Sequence, residues 1–460
     1  MLTYQLNKMP GLPLYEALYR CIRQDIRSGK LASGDKLPAA RALADHLEVS
    51  RVTVDGAYSQ LLAEGYIRSE PRVGYFVEDV VPQGTQQMPA PAPQAQEESW
   101  RVDLTGSGGA AGFPFSVWMR LQRETMLDLG EKLLEPVPNQ GCLPLRQAIA
   151  QHLRGFRNME VRPENILIGA GTDFLYNLLI QLLGRDKIYA LEEPGYSKIR
   201  RLYHAGGVRC VSAPMDGQGV MPQCLGEAQV LHITPSHHFP TGIVTPPRRR
   251  QALLEWVAQG EDRYIIEDDY DSEFRFDARP MHAMCSLDAS GRVIYMNSFS
   301  KTLTPSIRIS YMILPDGLLQ RFQQELGFYS CTVPSFEQYT LERFLSRGYF
   351  EKHINRMRRL YRARRNRVLE SLSRCSFGHK ITVEEEDAGL HFLLRVDTVL
   401  TGEKLVELCA ACGIRVRTLA DFYHGPVPTG ADRCLVVNYA SLQDSELEDA
   451  LEKLGQLLPA

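Results

Sequence analysis

The chain has 460 residues, with 52 Lys and Arg against 55 Asp and Glu and a formal net charge of −3. At about 100–200 residues per domain, that length implies two to four domains. Near-neutral charge excludes bulk attraction to nucleic acid, and no run of 18 apolar residues exists to cross a membrane. The opening residues MLTYQLNKMPGLPLYEALYR lack the charged-then-apolar pattern of a secretory signal. Ten cysteines without framework spacing read as reduced thiols, so a cytoplasmic protein is expected.

Residues 1–78 read as three helices and a hairpin. Leu14, Leu18, Ile22 and Ile26 recur every fourth residue, an apolar stripe along one helix. Pro38 suits the start of a second helix, which buries Ala40, Leu43, Ala44 and Leu47. After a break at Glu48-Val49-Ser50, Ser50 is an N-cap for a third helix with Val54, Ala57, Tyr58 and Leu61 inside. GYIRSEPRVGYFV then holds two β-prone runs around a turn at Ser69-Glu70-Pro71. Two helices joined by so short a turn form a helix-turn-helix, whose second helix can enter the major groove. Arg51, Val52 and Thr53, following Ser50, occupy the turn that reaches base edges, and Arg41, Arg68 and Arg72 are candidates for phosphate contacts. These residues make operator DNA the expected partner. The alternative is a set of solvated surface arginines, since the first 80 residues hold ten Lys and Arg and ten Asp and Glu.

The segment from Gly34 to Val77 resembles the winged helix-turn-helix of the GntR family. The matching pieces are Gly34-x-x-Leu37-Pro38, Leu43-Ala44, Val49-Ser50-Arg51, Thr53-Val54, Leu61-Leu62, Gly65 and Gly74. Residues 79–99 follow, with four prolines and five glutamines and almost no large apolar side chains. Such a stretch buries no core and is expected to be a semi-stiff linker to a third segment, 100–460.

From residue 100 the pattern becomes strand-then-helix. NILIG, KIYALE, VLHIT, YIIEDD and VIYMNS are short apolar runs, each followed by a turn or helical stretch. The fold class is therefore α/β, with a mainly parallel sheet and ligands expected beyond the carboxyl ends of the strands. Lys301 stands just past one such end, where desolvation suits an amine for Schiff-base chemistry. Ser298, Ser300 and Arg308 around it could donate to a phosphate, although a plain serine-rich loop reads the same way. In YIIEDDYDSEF, Asp268 could pair with a protonated pyridine nitrogen and Tyr270 with a ring oxygen. Solvated acids or a divalent-metal site on Asp268 and Asp269 are the alternatives; no metal site is expected. Gly171 and Thr172 open a helix whose N-terminus suits a phosphate. Tyr196 lies in a turn where its ring could stack on a flat cofactor, and His237 and His238 follow another strand. Cys409 and Cys412 lie three residues apart on a helical stretch with no second ligand pair, which reads as a buried helix face.

These segments occur in the order and spacing of fold-type-I aminotransferases, and residues 103–457 resemble them throughout, including GCLPLRQAIAQHL and GIRVRTLADFYHG. Coupled to a GntR-type head, with TPSHHFPTG and IIEDDYDSEF as written, the chain resembles the MocR subfamily of regulators. That resemblance implies a large domain with a small C-terminal α/β subdomain, dimerising through its aminotransferase-like part. It implies pyridoxal 5'-phosphate held at Lys301 as an internal aldimine, with Asp268 on the pyridine nitrogen, Tyr270 on the ring oxygen, Tyr196 stacked and His238 hydrogen-bonded to the ring. Gly171, Thr172, Ser298, Ser300 and Arg308 would take the phosphate.

Two departures stand out. The arginine that clamps the substrate carboxylate in aminotransferases is replaced by Val436 in CLVVNYASL, with Arg433, Arg415 or Arg417 as substitutes. Lys198 stands where GABA-responsive members carry an arginine, so Lys198 and Arg433 are the candidate effector residues. Asp173, where a neutral side chain is common, has no explanation in the sequence. Three functions are compatible. In the first, the regulator senses an amine or amino acid by external aldimine formation at Lys301. In the second, it senses pyridoxal phosphate itself and controls vitamin B6 genes. In the third, it is a working aminotransferase with a DNA-binding head.

Overall fold

The computed structural model describes residues 2–4, 6, 12–79, 100–106, 112–276, 281–385, 389–440, 442 and 444–457. The chain divides into two compact units, Met1–Glu98 and Ser99–Ala460. Most of the expected linker, 80–99, lies outside the described residues.

The first unit holds α1 (Leu14–Arg27), α2 (Ala40–Leu47), α3 (Arg51–Ala63), β1 (Ile67–Glu70) and β2 (Gly74–Val77). Leu18, Ile22 and Ile26 pack with Val54, Ala57, Tyr58 and Leu61 in one core. Leu14 stays 43% exposed, so the buried stripe of α1 begins one turn later than its spacing suggests. On α2, Leu43 and Ala44 are buried while Ala40 and Leu47 are half-buried. Glu48 takes a left-handed conformation (φ 55°), turning the chain sharply from α2 toward α3. Ser50 caps α3, its hydroxyl accepting from the Thr53 amide at 3.2 Å. The hairpin reverses at residues 71–73 rather than 69–71. Glu70 still pairs with Gly74, Pro71 has no N–H for the ladder, and Arg72 has φ 66°.

The second unit begins with β3 (Val102–Asp103), α4 (Phe115–Leu129), α5 (Leu143–Arg157), β4 (Ile166–Gly169), α6 (Thr172–Leu183), β5 (Ile188–Glu193), α7 (Ser197–Ala205), β6 (Arg209–Asp216), β7 (Gly219–Val220) and β8 (Val230–Ile233). It continues with α8 (Pro247–Ala258), β9 (Tyr264–Asp268), α9 (Met284–Leu287), β10 (Val293–Ser298), α10 (Phe299–Thr302), β11 (Ser310–Ile313), α11 (Asp316–Glu325), α12 (Ser335–Ser346) and α13 (Tyr349–Arg374). Then come β12 (Ile381–Glu384), β13 (His391–Val396), α14 (Gly402–Ala411), β14 (Ile414–Arg415), β15 (Cys434–Asn438) and α15 (Asp444–Leu457). The main sheet runs β4-β11-β10-β9-β8-β5-β6-β7. Strands β10, β9, β8, β5 and β6 are parallel neighbours, and β11 runs antiparallel to both β10 and β4. The five apolar runs of the sequence are β4, β5, β8, β9 and β10, and their carboxyl ends lie along one edge. A second, antiparallel sheet β12-β13-β15 forms the smaller C-terminal part with α14 and α15. Cys409 and Cys412 are buried in its core, where burial pushes the Cys409 thiol up to about 12.

Strand β9 explains the run of acids. Side chains alternate across a sheet, so Glu267 and Asp269 face one layer and Asp268 the other. Glu267 accepts from the Met284 and Cys285 amides at 2.9 Å each, with Arg250 at 3.9 Å. Asp269 pairs with Arg157 at 2.7 Å and accepts from the Tyr295 hydroxyl at 2.6 Å. All of these groups are buried. Arg157→Met leaves Asp269 in the interior without its counter-charge and is expected to cost about 3–5 kcal/mol, measured by urea unfolding. A loss under about 1 kcal/mol would mean that Tyr295 alone satisfies the carboxylate.

Candidate functional site

The carboxyl ends of β5, β8, β9 and β10 and the N-terminus of α6 surround a cleft of about 540 Å³ in the second unit. Lys301 lines it from α10, the short helix that continues β10. Burial holds its amine below the ordinary lysine pKa, against the opposing pull of Asp271. Ser298 caps that helix. Its hydroxyl accepts from the Ser300 amide at 3.1 Å and donates to the Ser300 hydroxyl at 2.9 Å. Gly171 precedes α6 with φ 86°, and a Cβ there would lie 2.3 Å from Nη2 of Arg308. Only a glycine lets the guanidinium lie against this turn.

Asp268 sits in a buried aromatic network. Its Oδ2 accepts from the Tyr176 hydroxyl and lies 3.6 Å from His232 Nε2, while His232 Nδ1 shares a 2.8 Å hydrogen bond with the Tyr203 hydroxyl. Its Oδ1 is buried and has no hydrogen-bond partner. Such an atom is costly unless a ligand meets it. Tyr270 also lines the cleft, its hydroxyl 3.2 Å from His237 Nδ1, which in turn pairs with Asp271 at 2.8 Å. Tyr196 stands 46% exposed at the start of α7, edge-on to Phe239. At the rim, Asp173 holds Lys198 at 2.8 Å and lies 3.6 Å from Arg308. That gives the unexpected acid a partner on each side.

Two expected ligand residues lie elsewhere. His238 does not line the cleft. It is buried behind the wall, its Nδ1 bonded to Thr241 Oγ1 at 2.7 Å. Burial, with His237 beside it, lowers its pKa to about 3. Arg433 is also absent from the cleft. Its Nη1 donates to the Thr398 carbonyl at 2.7 Å, and it lines a separate surface groove with Val399 and Val427. Arg415 and Arg417 do line the cleft, as does Val436. Tyr176, Glu192, His232 and His391 also line the cleft, and no motif in the sequence singles them out. Tyr176 was within reach of the sequence, because it lies one turn beyond Thr172 on the same helix face. The others depend on strand register.

On the first unit, Arg51 and Val52 are exposed in the first turn of α3, and Thr53 is half-buried beside its cap. Arg51 reaches Asp55 on its own helix at 3.3 Å. Arg41 on α2 and Arg72 in the wing turn are exposed. Arg68 is engaged by Glu70 at 3.3 Å and Glu78 at 3.8 Å and lies over the Phe76 ring.

Residues 14–77 match the bacterial regulatory proteins of the gntR family, and residues 105–454 match the aminotransferases of class I and II. Among full-length relatives, the HTH-type transcriptional regulator YdeL of Bacillus subtilis is 36% identical over 98% of both chains. The probable rhizopine catabolism regulatory protein MocR of Rhizobium meliloti is 32% identical over 98% of this chain and 94% of its own. The chain belongs to the MocR group of GntR-type transcription regulators. Another relative of this MocR-type regulator is the pyridoxine biosynthesis transcriptional regulator PdxR of Corynebacterium glutamicum, 31% identical over 99% of this chain and 98% of its own. Among solved structures, the kynurenine aminotransferase of Pyrococcus horikoshii has the same fold as the second unit, with a TM-score of 0.66 and 23% identity over 78% of this chain and 91% of that one. The regulator therefore pairs a DNA-binding GntR unit with an aminotransferase fold. Among the described residues, no helix is long and apolar enough to cross a membrane.

One buried group makes the regulator's stability depend on pH. Glu192 lines the cleft, accepts from the Thr234 hydroxyl at 2.7 Å, and is pushed by burial up to about 8 from 4.5. It therefore keeps its proton at neutral pH and faces a neutral His238 at 3.5 Å. Its contribution is full below pH 4.5 and is lost as pH rises through about 8. Glu192→Gln should flatten the fall in unfolding free energy across that window, measured by urea titrations at several pH values. An unchanged slope would mean that Glu192 is ionised in the folded protein.

Proposed function

We propose that this regulator binds pyridoxal phosphate in the cleft and senses a small primary amine or amino acid there. Carrying this reading is the pairing of Lys301, an amine with a lowered pKa, with the orphaned Oδ1 of Asp268 across one cleft. These residues fit the cofactor. The Asp268 carboxylate would pair with the pyridinium N–H, Lys301 would hold the aldehyde, and Tyr270 would serve the ring oxygen. Thr172, Ser298, Ser300 and Arg308, with Gly171 leaving the space, would hold the phosphate. Tyr196 would cover the ring. Bound there, the cofactor supplies an aldehyde that condenses with primary amines. Tyr176 and His232 hold Asp268 in place. A ligand then shifts the regulator through its differential affinity for two conformations.

Arg51, Val52 and Thr53 read base edges of the operator, while Arg41 and Arg72 meet phosphates. The protein acts as a homodimer. Supporting this is an apolar strip on and after α4, with Phe115, Met119, Leu127 and Leu134 all more than 60% exposed. A second reading, in which pyridoxal phosphate is itself the signal, is favoured by the likeness to the pyridoxine biosynthesis regulator.

Visible absorption of the cofactor-loaded protein, titrated with amines and amino acids, separates the two readings. A shift with one compound supports amine sensing; reversible cofactor binding with no shift by any amine supports cofactor sensing. Lys301→Ala should abolish borohydride-fixable attachment while leaving circular dichroism unchanged, and a retained adduct would refute the assignment of Lys301. Arg51→Ala should weaken operator binding by about 1–3 kcal/mol in a mobility-shift assay, with less effect on random DNA. Equal losses on both would make Arg51 a phosphate contact.

A further inference from the structure

We infer that Arg417 is the anion-recognising residue of the cleft, and that the effector therefore carries a carboxylate as well as its amine. The inference rests on the amine-sensing reading and adds the chemical class of the ligand.

The cations around the cleft differ in how they are engaged. Lys198 is held by Asp173 at 2.8 Å, Arg200 by Glu193 at 3.3 Å, and Arg415 by Asp103 at 3.5 Å. Arg308 lies 3.6 Å from the same Asp173. Arg417 differs: among the described residues no carboxylate lies within ion-pair distance of it. Among the described residues, the one polar contact of its guanidinium is Nη2 to the Asp421 carbonyl at 3.2 Å. A guanidinium has five N–H donors, so most of this fork has no protein acceptor.

The fork is nevertheless held in position. Its carbon lies 4.1 Å from the Phe422 ring centroid, close enough for stacking and cation–π attraction. Its backbone is tied to β15: Thr418 bridges Leu435, and the Val436 amide donates to the Arg417 carbonyl at 2.9 Å. Residues 417 and 436 are thus opposite each other and share a face, and both line the cleft that Lys301 enters. Val436 offers that face only methyl groups. A planar fork fixed by an aromatic ring, beside an apolar wall, matches a carboxylate in two-point contact. Asp173 is shared by two cations, Lys198 and Arg308, whereas Arg417 has no acid beside it among the described residues.

The test uses the full-length, cofactor-loaded protein. Its visible spectrum is titrated with proteinogenic amino acids, β-alanine and 4-aminobutyrate, each beside the amine that lacks its carboxyl group. At least one amino acid should act at a concentration about tenfold or more below its amine, the scale expected of a charged hydrogen-bonded pair. Arg417→Gln should bring that ratio near one without changing the spectrum of the unliganded protein, and Arg417→Lys should restore part of it. A ratio near one in the unsubstituted protein, or a ratio unchanged by Arg417→Gln, overturns the inference and leaves amine sensing standing. If neither amines nor amino acids shift the spectrum, amine sensing fails and the inference falls with it.

Discussion

Three consecutive carboxylates, the last two residues of β9 and the one after it, must each find a partner in the interior. A buried charge without one costs several kcal/mol, so this requirement constrains everything packed around the strand. Glu267 takes two backbone amides from the start of α9 and the flank of Arg250. Asp269 takes Arg157 from the end of α5 and Tyr295 from β10. These contacts fix the layer behind the sheet. Asp268 is thereby left facing the cleft, backed by Tyr176 and His232, with one oxygen still to be met. The two outer acids thus act as anchors for the middle one.

The cleft that results has two electrical characters. In its depth, burial favours neutral forms: Lys301 is lowered and Glu192 is raised to about 8, and behind the wall His238 is lowered to about 3. Neutral amines and acids are the forms that exchange protons and attack carbonyl carbons. At the rim, charges remain and are mostly paired with each other, as in Lys198–Asp173–Arg308. A ligand entering such a site trades existing ion pairs for its own, which favours selectivity over affinity.

What was legible in the sequence was local. Ser50 as a cap, the inner face of α3, five apolar strands and a lysine past a strand end all depend on residues within a turn or two of each other. The GntR and aminotransferase resemblances extended that reading to the whole fold. What stayed hidden depends on register between distant segments. The sequence puts Arg433 forward, with Arg415 and Arg417 as alternatives, and only the bridge between Thr418 and Leu435 turns Arg417 into the cleft, while Arg433 stays bonded to Thr398. The sequence singles out His238 and passes over His232. The second lies on the cleft face of β8, while the first falls in the following loop and bonds to Thr241. The wing turn moved by two residues because the missing N–H of Pro71 decides where the ladder stops.

The arginines of the first unit are already spoken for in part, Arg51 by Asp55 and Arg68 by Glu70 and Glu78. Every phosphate contact by such a side chain must first displace an internal acid, and each phosphate neutralised adds about −0.9 to the slope of log affinity against log salt. A domain with ten positive and ten negative side chains in its first 80 residues thus adheres weakly to arbitrary DNA. On a chromosome, where non-specific sites outnumber operators by about a millionfold or more, weak adhesion shortens each unproductive visit. A head so balanced would search by brief encounters, with occupancy following the match of bases rather than the sheer quantity of DNA.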